Sequence, residues 1–373
     1  MKQHSHELWT ILPCAALLVA FGAGILLRPH ADFSETENRP LTDHISFDLS
    51  ALQGGALATE LSAFYTDQFP LRLWFTAAKA RTERLSLKQE NNGILFGKDG
   101  TLFPRTEVTD LSTAQRNLEA FAVFRTHTEA QGIPVSLLVV PRSADVMTDR
   151  LPTLYQPAYD STLLTHILAT EPTALLPLET LRQIEAPYYR TDHHWTTEGA
   201  YVAYAELLQD WQLSPYPPEF FQRETADTSF YGSSYATSGG VTQTADTVTL
   251  YRYEGDDRFT VTDRQTGTVR QGFYDRTAPE REKGYEIFLG GNFGQLHIAE
   301  PNNSKHRLLL VKDSFANAMI PFLALHFDLT VVDLRYDRSS LSALLEKEAF
   351  DRVLVLQGAD TLATDPSLCR LLY

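Results

Sequence analysis

Cysteine is nearly absent from this chain: its 373 residues hold two, Cys14 and Cys369. One lies in an apolar run near the start and the other close to the C-terminus, so neither an intrachain disulfide nor a cysteine-based zinc site is available. Stability has to come from a buried core, which a chain of this length can build. Positive charge is in deficit as well. Lys and Arg number 32 against 47 Asp and Glu, giving a net charge of −15 and a pI near 5.2. That balance argues against nucleic acid and against anionic lipid headgroups as partners. No internal repeat or low-complexity tract is present.

Charge is missing altogether from Leu8 to Leu27, twenty residues that suffice to cross a bilayer as a helix of roughly 30 Å. The expectation is an uncleaved single-pass anchor at 8–27 behind a cytoplasmic tail at 1–7. Lys2 and the amino terminus precede the run, while Asp32, Glu35 and Glu37 follow Arg28, which places the bulk of the chain outside. Cleavage as a signal peptide at Ala20-Phe21-Gly22, leaving a secreted protein, is the competing reading, although the run continues through Leu27 and is long for a signal. A lipoprotein is the poorer fit, because Cys14 lies inside the run.

Residues 28–70 read as a tether and entry segment, with a periodic helix at 56–69, and 71–373 as the main domain. Residues 93–103 resemble a hairpin around Lys98-Asp99-Gly100. A helix at 111–131 ending at Gly132 leads into an apolar strand at 135–140, stopped by Pro141. The same grammar recurs as strand 307–311, helix 314–326, strand 329–333, helix 340–349 and strand 353–356. This is an α/β pattern with a mostly parallel sheet covered on both faces. Between about 225 and 290 alternating segments and the Gln265-Thr266-Gly267 turn mark a β-rich insertion.

Two motifs carry chemistry. Thr191-Asp192-His193-His194-Trp195-Thr196 precedes a helix whose Ala200, Tyr204, Leu207, Leu208 and Trp211 share one face, with Thr196 or Thr197 as cap. Lys312-Asp313-Ser314 follows an apolar strand and opens a second helix, which Pro321 should break after two turns. Acid, imidazole and hydroxyl are the inventory of an acyl-transfer triad, with Asp192 fixing the tautomer of His194 and the Ser314 N–H and helix dipole serving an oxyanion. Each piece has a plainer reading. Ser314 and Asp192 could simply cap, and Gly290-Gly291 could be only a turn. His193-His194 could be half of a metal site completed by His297 or His306, although no cysteine or His-x-x-x-His spacing supports it.

Asp192-His193-His194-Trp195 is similar to the tetrapeptide that names the DHHW family of bacterial exported proteins. With Asp313-Ser314 it also resembles the SGNH-hydrolase-like proteins of alginate O-acetylation. The likeness extends through Glu37-Asn38-Arg39, 93–103, Val139-Val140-Pro141, Gly290-Gly291-Asn292 and 312–317. It implies a three-layer SGNH-hydrolase-like fold with Ser314 as nucleophile, His194 as base and Asp192 as orienter. The serine comes last, a permuted order. Lys312 stands where the hydrolases have glycine and puts a charge next to the nucleophile. Gly232 and Asn292 are candidates for further oxyanion donors.

The activity this implies is an O-acetyltransferase acting on a cell-surface or secreted polysaccharide, without metal or diffusible cofactor. The acetyl donor would come from a multi-spanning membrane O-acyltransferase. An esterase using the same triad is the alternative within the enzymes. A non-catalytic glycan-binding or assembly protein, with Tyr231, Tyr235, Tyr251, Tyr253 and Phe273 stacking on sugars, is the alternative outside them.

Overall fold

The computed structural model describes residues 2–34, 39–45, 56–105, 110–153, 155, 161–240, 244–281 and 283–372. Part of the tether, including Glu37 and Asn38, lies outside the described residues, as do the side chains of 2–10. The chain divides into two units, residues 1–92 with 236–241 and residues 93–235 with 242–373.

The smaller unit contains the helices Lys2–Leu27, Ala56–Asp67 and Arg72–Leu85. The first takes in the whole uncharged run. Among the described residues, however, no helix is long and apolar enough to cross a membrane, so the expected span at 8–27 is not borne out in the structure.

In the larger unit seven strands form one mixed sheet. They are β1 Val135–Val140, β2 Thr260–Asp263, β3 Val269–Gln271, β4 Gln295–Ala299, β5 His306–Lys312, β6 Phe327–Val332 and β7 Arg352–Gly358. Their order is β3-β2-β4-β6-β5-β7-β1. β6, β5, β7 and β1 are mutually parallel, whereas β4, β2 and β3 continue the sheet in antiparallel sense. The sheet is therefore parallel over one half only. Part of the expected insertion is not beside it but in it, because Thr260–Asp263 pairs with Gln295–Ala299 and extends the edge. The remainder forms a separate ribbon of Gln222–Phe230 and Asp246–Arg252.

Both faces of the parallel half are buried. Leu138, Leu308, Leu310, Leu354 and Leu356 join one core cluster, while Leu137, Leu309, Val311, Val353 and Val355 join the other. Alternation of side chains along each strand splits every apolar run between the two layers. The helix Ser112–Glu129 lends Leu118, Phe121 and Phe124 to the second cluster, and Thr197–Asp210 lends Ala200, Tyr204, Leu207 and Leu208 to the first.

The hairpin at 93–103 forms, with Ile94–Phe96 antiparallel to Leu102–Pro104; Asp99 and Gly100 take positive φ in its turn. The expected helix at 314–326 is instead a five-residue 3₁₀ turn, Ser314–Ala318, followed by the short helix Ile320–Leu323 with Pro321 in its first turn. Proline is at home there and cannot continue a preceding helix, which fixes the break.

Candidate active site

The loop carrying the first motif is closed on itself. Tyr188 and Trp195 form an antiparallel bridge, the Tyr189 N–H donates to the His194 carbonyl at 3.2 Å, and the Thr196 N–H donates to Pro187 at 3.0 Å. Thr196 is the cap of the following helix, its hydroxyl accepting from the Gly199 N–H at 3.1 Å. Asp246, from the ribbon, braces the loop from behind. Its carboxylate accepts from the N–H groups of Arg190 and Thr191 at 3.0 and 2.7 Å, and from the Thr191 hydroxyl at 2.6 Å.

Within this frame Asp192, His194 and Ser314 form one continuous relay. His194 Nδ1–H donates to Asp192 Oδ1 at 2.6 Å, and Ser314 Oγ–H donates to His194 Nε2 at 2.8 Å. Because a carboxylate only accepts, Asp192 fixes the proton on Nδ1 and leaves Nε2 as the acceptor. Asp192 and His194 are buried, at 4 % and 7 % exposure, whereas Ser314 is partly open to solvent. Asp192 is further held by the main-chain N–H groups of His194 and Ser233, at 2.9 and 2.7 Å. Burial works to raise its pKa. The neighbouring His194 and His193 rings and these hydrogen bonds override that and hold the carboxyl well below the ordinary range. His193 points elsewhere, with Nδ1 2.7 Å from Ser233 Oγ. Burial, and repulsion from His194 whenever that ring is protonated, lower its pKa to about 4.

Two aromatic side chains brace the site. Tyr285 lies flat on His194, with ring centroids 3.8 Å apart and planes 7° from parallel. Its hydroxyl donates to the carbonyls of Ser314 and Phe315, at 3.2 and 3.3 Å. Burial raises this phenol well above its usual pKa, so it stays a neutral donor. Trp195 Nε1–H donates to the Phe315 carbonyl at 2.9 Å, which ties the histidine loop to the serine turn. The Tyr residue came from a segment, Gly284–Ile287, where only turns and strands were legible; the Trp stood in the motif itself.

Asp313 caps the serine turn. Its Oδ1 accepts from the Phe315 N–H at 3.0 Å and its Oδ2 from the Gly358 N–H at 2.7 Å. With only a 3₁₀ turn behind Ser314, no helix dipole of note acts on the site; the Ser314 N–H itself remains an N-terminal donor. Lys312 does not put its charge beside the nucleophile. Its Nζ is buried, 3.3 Å from Asp333, and donates to Asn317 Oδ1 at 2.9 Å and Asn292 Oδ1 at 3.1 Å. Asp333 in turn accepts from Arg335 Nε and Nη2, at 2.9 and 2.7 Å.

The two expected oxyanion donors part company. The Gly232 N–H is used by the Thr191 hydroxyl, at 3.1 Å. A Cβ there would come within 2.3 Å of Asp192, so this glycine serves close packing on the carboxylate and is not a donor to substrate. Asn292 is exposed, and its Oδ1 is held by Lys312 and, at 3.2 Å, by Asn317 Nδ2. For the alternative reading of His193-His194 as a metal half-site the observations are mixed. Asp192, His193 and His194 lie within ligand reach of one another, but His194 has both ring nitrogens in the relay and His193 Nδ1 sits on Ser233. His306 is exposed, 3.4 Å from Asp351, and His297 lies within β4. Of the aromatics considered for sugar stacking, Tyr251, Tyr253 and Phe273 are core residues. Tyr231 and Tyr235 are partly exposed and pack on each other, with centroids 4.3 Å apart.

A cavity of about 280 Å³ opens beside the site, lined by Arg142, His193, Phe315, Arg335 and Asp360 among others.

Comparison with known proteins bears on the family and the fold. Residues 94–278 match the family described as "SGNH hydrolase-like domain, acetyltransferase AlgX". A probable alginate O-acetylase AlgJ of Pseudomonas putida is 26 % identical over 196 residues, 48 % of this chain and 50 % of that protein. The AlgJ of Pseudomonas aeruginosa is 26 % identical over 201 residues, 50 % and 49 % of the two chains. The chain thus spans about half the length of these relatives. Among solved structures, a DHHW family protein from Eubacterium siraeum superposes with a TM-score of 0.63 at 22 % identity, covering 75 % of this chain and 95 % of that one. Bacillus cereus PatB1 with a sulfonyl adduct gives 0.60 at 20 %, covering 74 % and 97 %. At such identities these two establish the shared fold.

Proposed function

We propose that this chain, a relative of the SGNH-hydrolase-like proteins of alginate O-acetylation, is an extracytoplasmic O-acetyltransferase that works through an acyl-serine intermediate. The observation that carries this reading is the unbroken relay from Asp192 through His194 to a partly exposed Ser314, with both links within 2.8 Å. In the first half-reaction His194 Nε2 takes the hydroxyl proton as Ser314 Oγ attacks the acetyl carbonyl. The leaving group departs with that proton and an acetyl-serine remains. In the second, His194 deprotonates a sugar hydroxyl, which attacks the acetyl carbon and releases free Ser314. Asp192 steadies the imidazolium in both halves. The Ser314 N–H and the exposed amide of Asn292 are the groups proposed to meet the oxyanion.

The acceptor proposed is a polysaccharide, in keeping with the likeness to alginate O-acetylases. The donor partner proposed is a multi-spanning membrane O-acyltransferase. Membrane attachment through 8–27 rests on the sequence, twenty consecutive residues without a charge. Water in place of the sugar would make the same site an esterase, so the test is partition. The chain is given a chromogenic acetyl ester with and without an oligosaccharide, and acetylated sugar is quantified against free acetate. Sugar acetylation that is lost in Ser314→Ala supports the transferase. Acetate alone at every acceptor concentration supports the esterase.

A further inference from the structure

The smaller unit bears a surface that acyl transfer leaves unused. Along Arg72–Leu85 and its N-cap, Leu71, Trp74, Phe75, Ala78, Thr82 and Leu85 recur at steps of three, four and seven residues, hence on one helical face. A helix of a globular protein turns such a stripe inward, but here Leu71, Trp74, Phe75 and Leu85 are exposed, Trp74 at 63 %. Lys79 and Arg81 flank the stripe on its two sides and both are exposed; Lys79 and, past the helix, Lys88 also face Glu83, at 4.0 and 3.2 Å. Residues 71–88 carry five basic residues and one acid, Glu83, in a chain whose net charge is −15. The sign of the whole chain is therefore reversed in this segment.

The stripe is also continuous with the apolar N-terminal helix. Phe75 packs against Phe21 and Phe69, with centroids 6.0 and 5.8 Å apart, and Phe69 stacks on Phe21 at 4.7 Å. At Gly24 a Cβ would come within 2.7 Å of Pro70. Leu17, Leu18 and Val19 of that helix are exposed in their turn.

We infer that Arg72–Leu85 is an interfacial helix that lays the stripe of Leu71, Trp74, Phe75 and Leu85 into an anionic lipid surface, with Lys79 and Arg81 meeting the headgroups. An exposed apolar face rimmed by Lys and Arg, with tryptophan on it, is the composition that settles at the headgroup boundary. The acidity of the chain as a whole, which argues against such a partner, belongs to the other residues. This inference is independent of the acyl-transfer reading, since no residue of the site takes part in it.

The test uses the full chain with Cys14→Ser, Cys369→Ser and Trp74→Cys, the new thiol carrying a nitroxide. It is reconstituted with phosphatidylcholine vesicles with and without phosphatidylglycerol. A label at Val123→Cys, on the exposed side of the helix Ser112–Glu129, is the water-facing control. With the anionic lipid, the label at position 74 should be shielded from an aqueous nickel chelate and open to oxygen, while the control stays open to nickel. The double change Lys79→Gln, Arg81→Gln should lower the docking equilibrium by on the order of thirtyfold, with an unchanged circular dichroism spectrum. Equal nickel access in both lipids, or failure of the chain to float with the vesicles, would overturn the inference. Shielding from both reagents would also overturn it, by placing a protein partner or a second copy on the stripe.

Discussion

The Tyr285 ring lies 3.8 Å from that of His194 and 7° from parallel, while its hydroxyl donates to the carbonyl of Ser314. One side chain thus sets the plane of the His194 ring and the position of the Ser314 turn. Tyr285→Phe keeps the stack and loses the single O–H donor that the Ser314 and Phe315 carbonyls share, so it should lower kcat a fewfold, such a bond being worth about 1 kcal/mol. Tyr285→Leu frees the imidazole plane and should cost roughly 100-fold, the scale of a 1 Å misplacement. Steady-state kinetics on an acetyl ester separates the two; equal losses would assign Tyr285 to packing alone.

Gly232→Ala is the sharpest probe of the carboxylate's setting. The new Cβ would sit 2.3 Å from Asp192 Cβ and Oδ2, so Asp192 has to move. Kcat should fall towards the level of Asp192→Asn, a loss of about 10³ to 10⁴ if the carboxylate holds the tautomer. Thermal unfolding of the same variant reports whether the fold survives the substitution.

The alternation of apolar residues, the helix faces and the Asp192–His194 spacing were legible in the sequence because each is a local pattern. Tertiary neighbours were not. Tyr285 stands 91 positions after His194 and carries no periodic mark, and Asp246 reaches Thr191 from a ribbon whose docking no local propensity encodes. Gly232 is a candidate donor on the need of an oxyanion for converging N–H groups, yet its value here is the missing Cβ. The alternating run at 259–262 announces a strand without saying which edge it joins. Lys312 looked like a charge at the nucleophile because strand alternation alone does not reveal that Asp333 waits on the other side.

Removing that lysine should be costly. Lys312→Met leaves Asp333 with Arg335 alone and strips a donor from Asn292 and Asn317, in a place where neither ion is reached by water. Breaking a buried pair typically costs about 3–5 kcal/mol. A fall in the urea midpoint at unchanged m-value would show it; an unchanged midpoint would mean that Arg335 suffices.

Stability should weaken in mild acid. Burial first, then Lys305, lower the pKa of His326 to about 4, and its Nε2 is held by the Tyr204 hydroxyl at 2.7 Å. The unfolded chain takes up this proton near pH 6.5. The stabilisation from the neutral ring is therefore complete above that pH and is lost as pH falls towards 4, at no more than about 1.4 kcal/mol per pH unit. His193 acts in the same direction, though with a side chain 40 % exposed it contributes less. Denaturant unfolding between pH 7 and 4.5 should show this slope, and His326→Gln should flatten it.

The central claim is that Ser314 becomes acetylated. Intact mass of the chain mixed with an activated acetyl ester, beside Ser314→Ala and His194→Ala, tests it directly. The account predicts a single acetyl adduct on the parent chain, mapped to Ser314, absent from Ser314→Ala and strongly slowed in His194→Ala. An adduct that persists in Ser314→Ala, or none on a folded parent chain that turns the ester over, would contradict it.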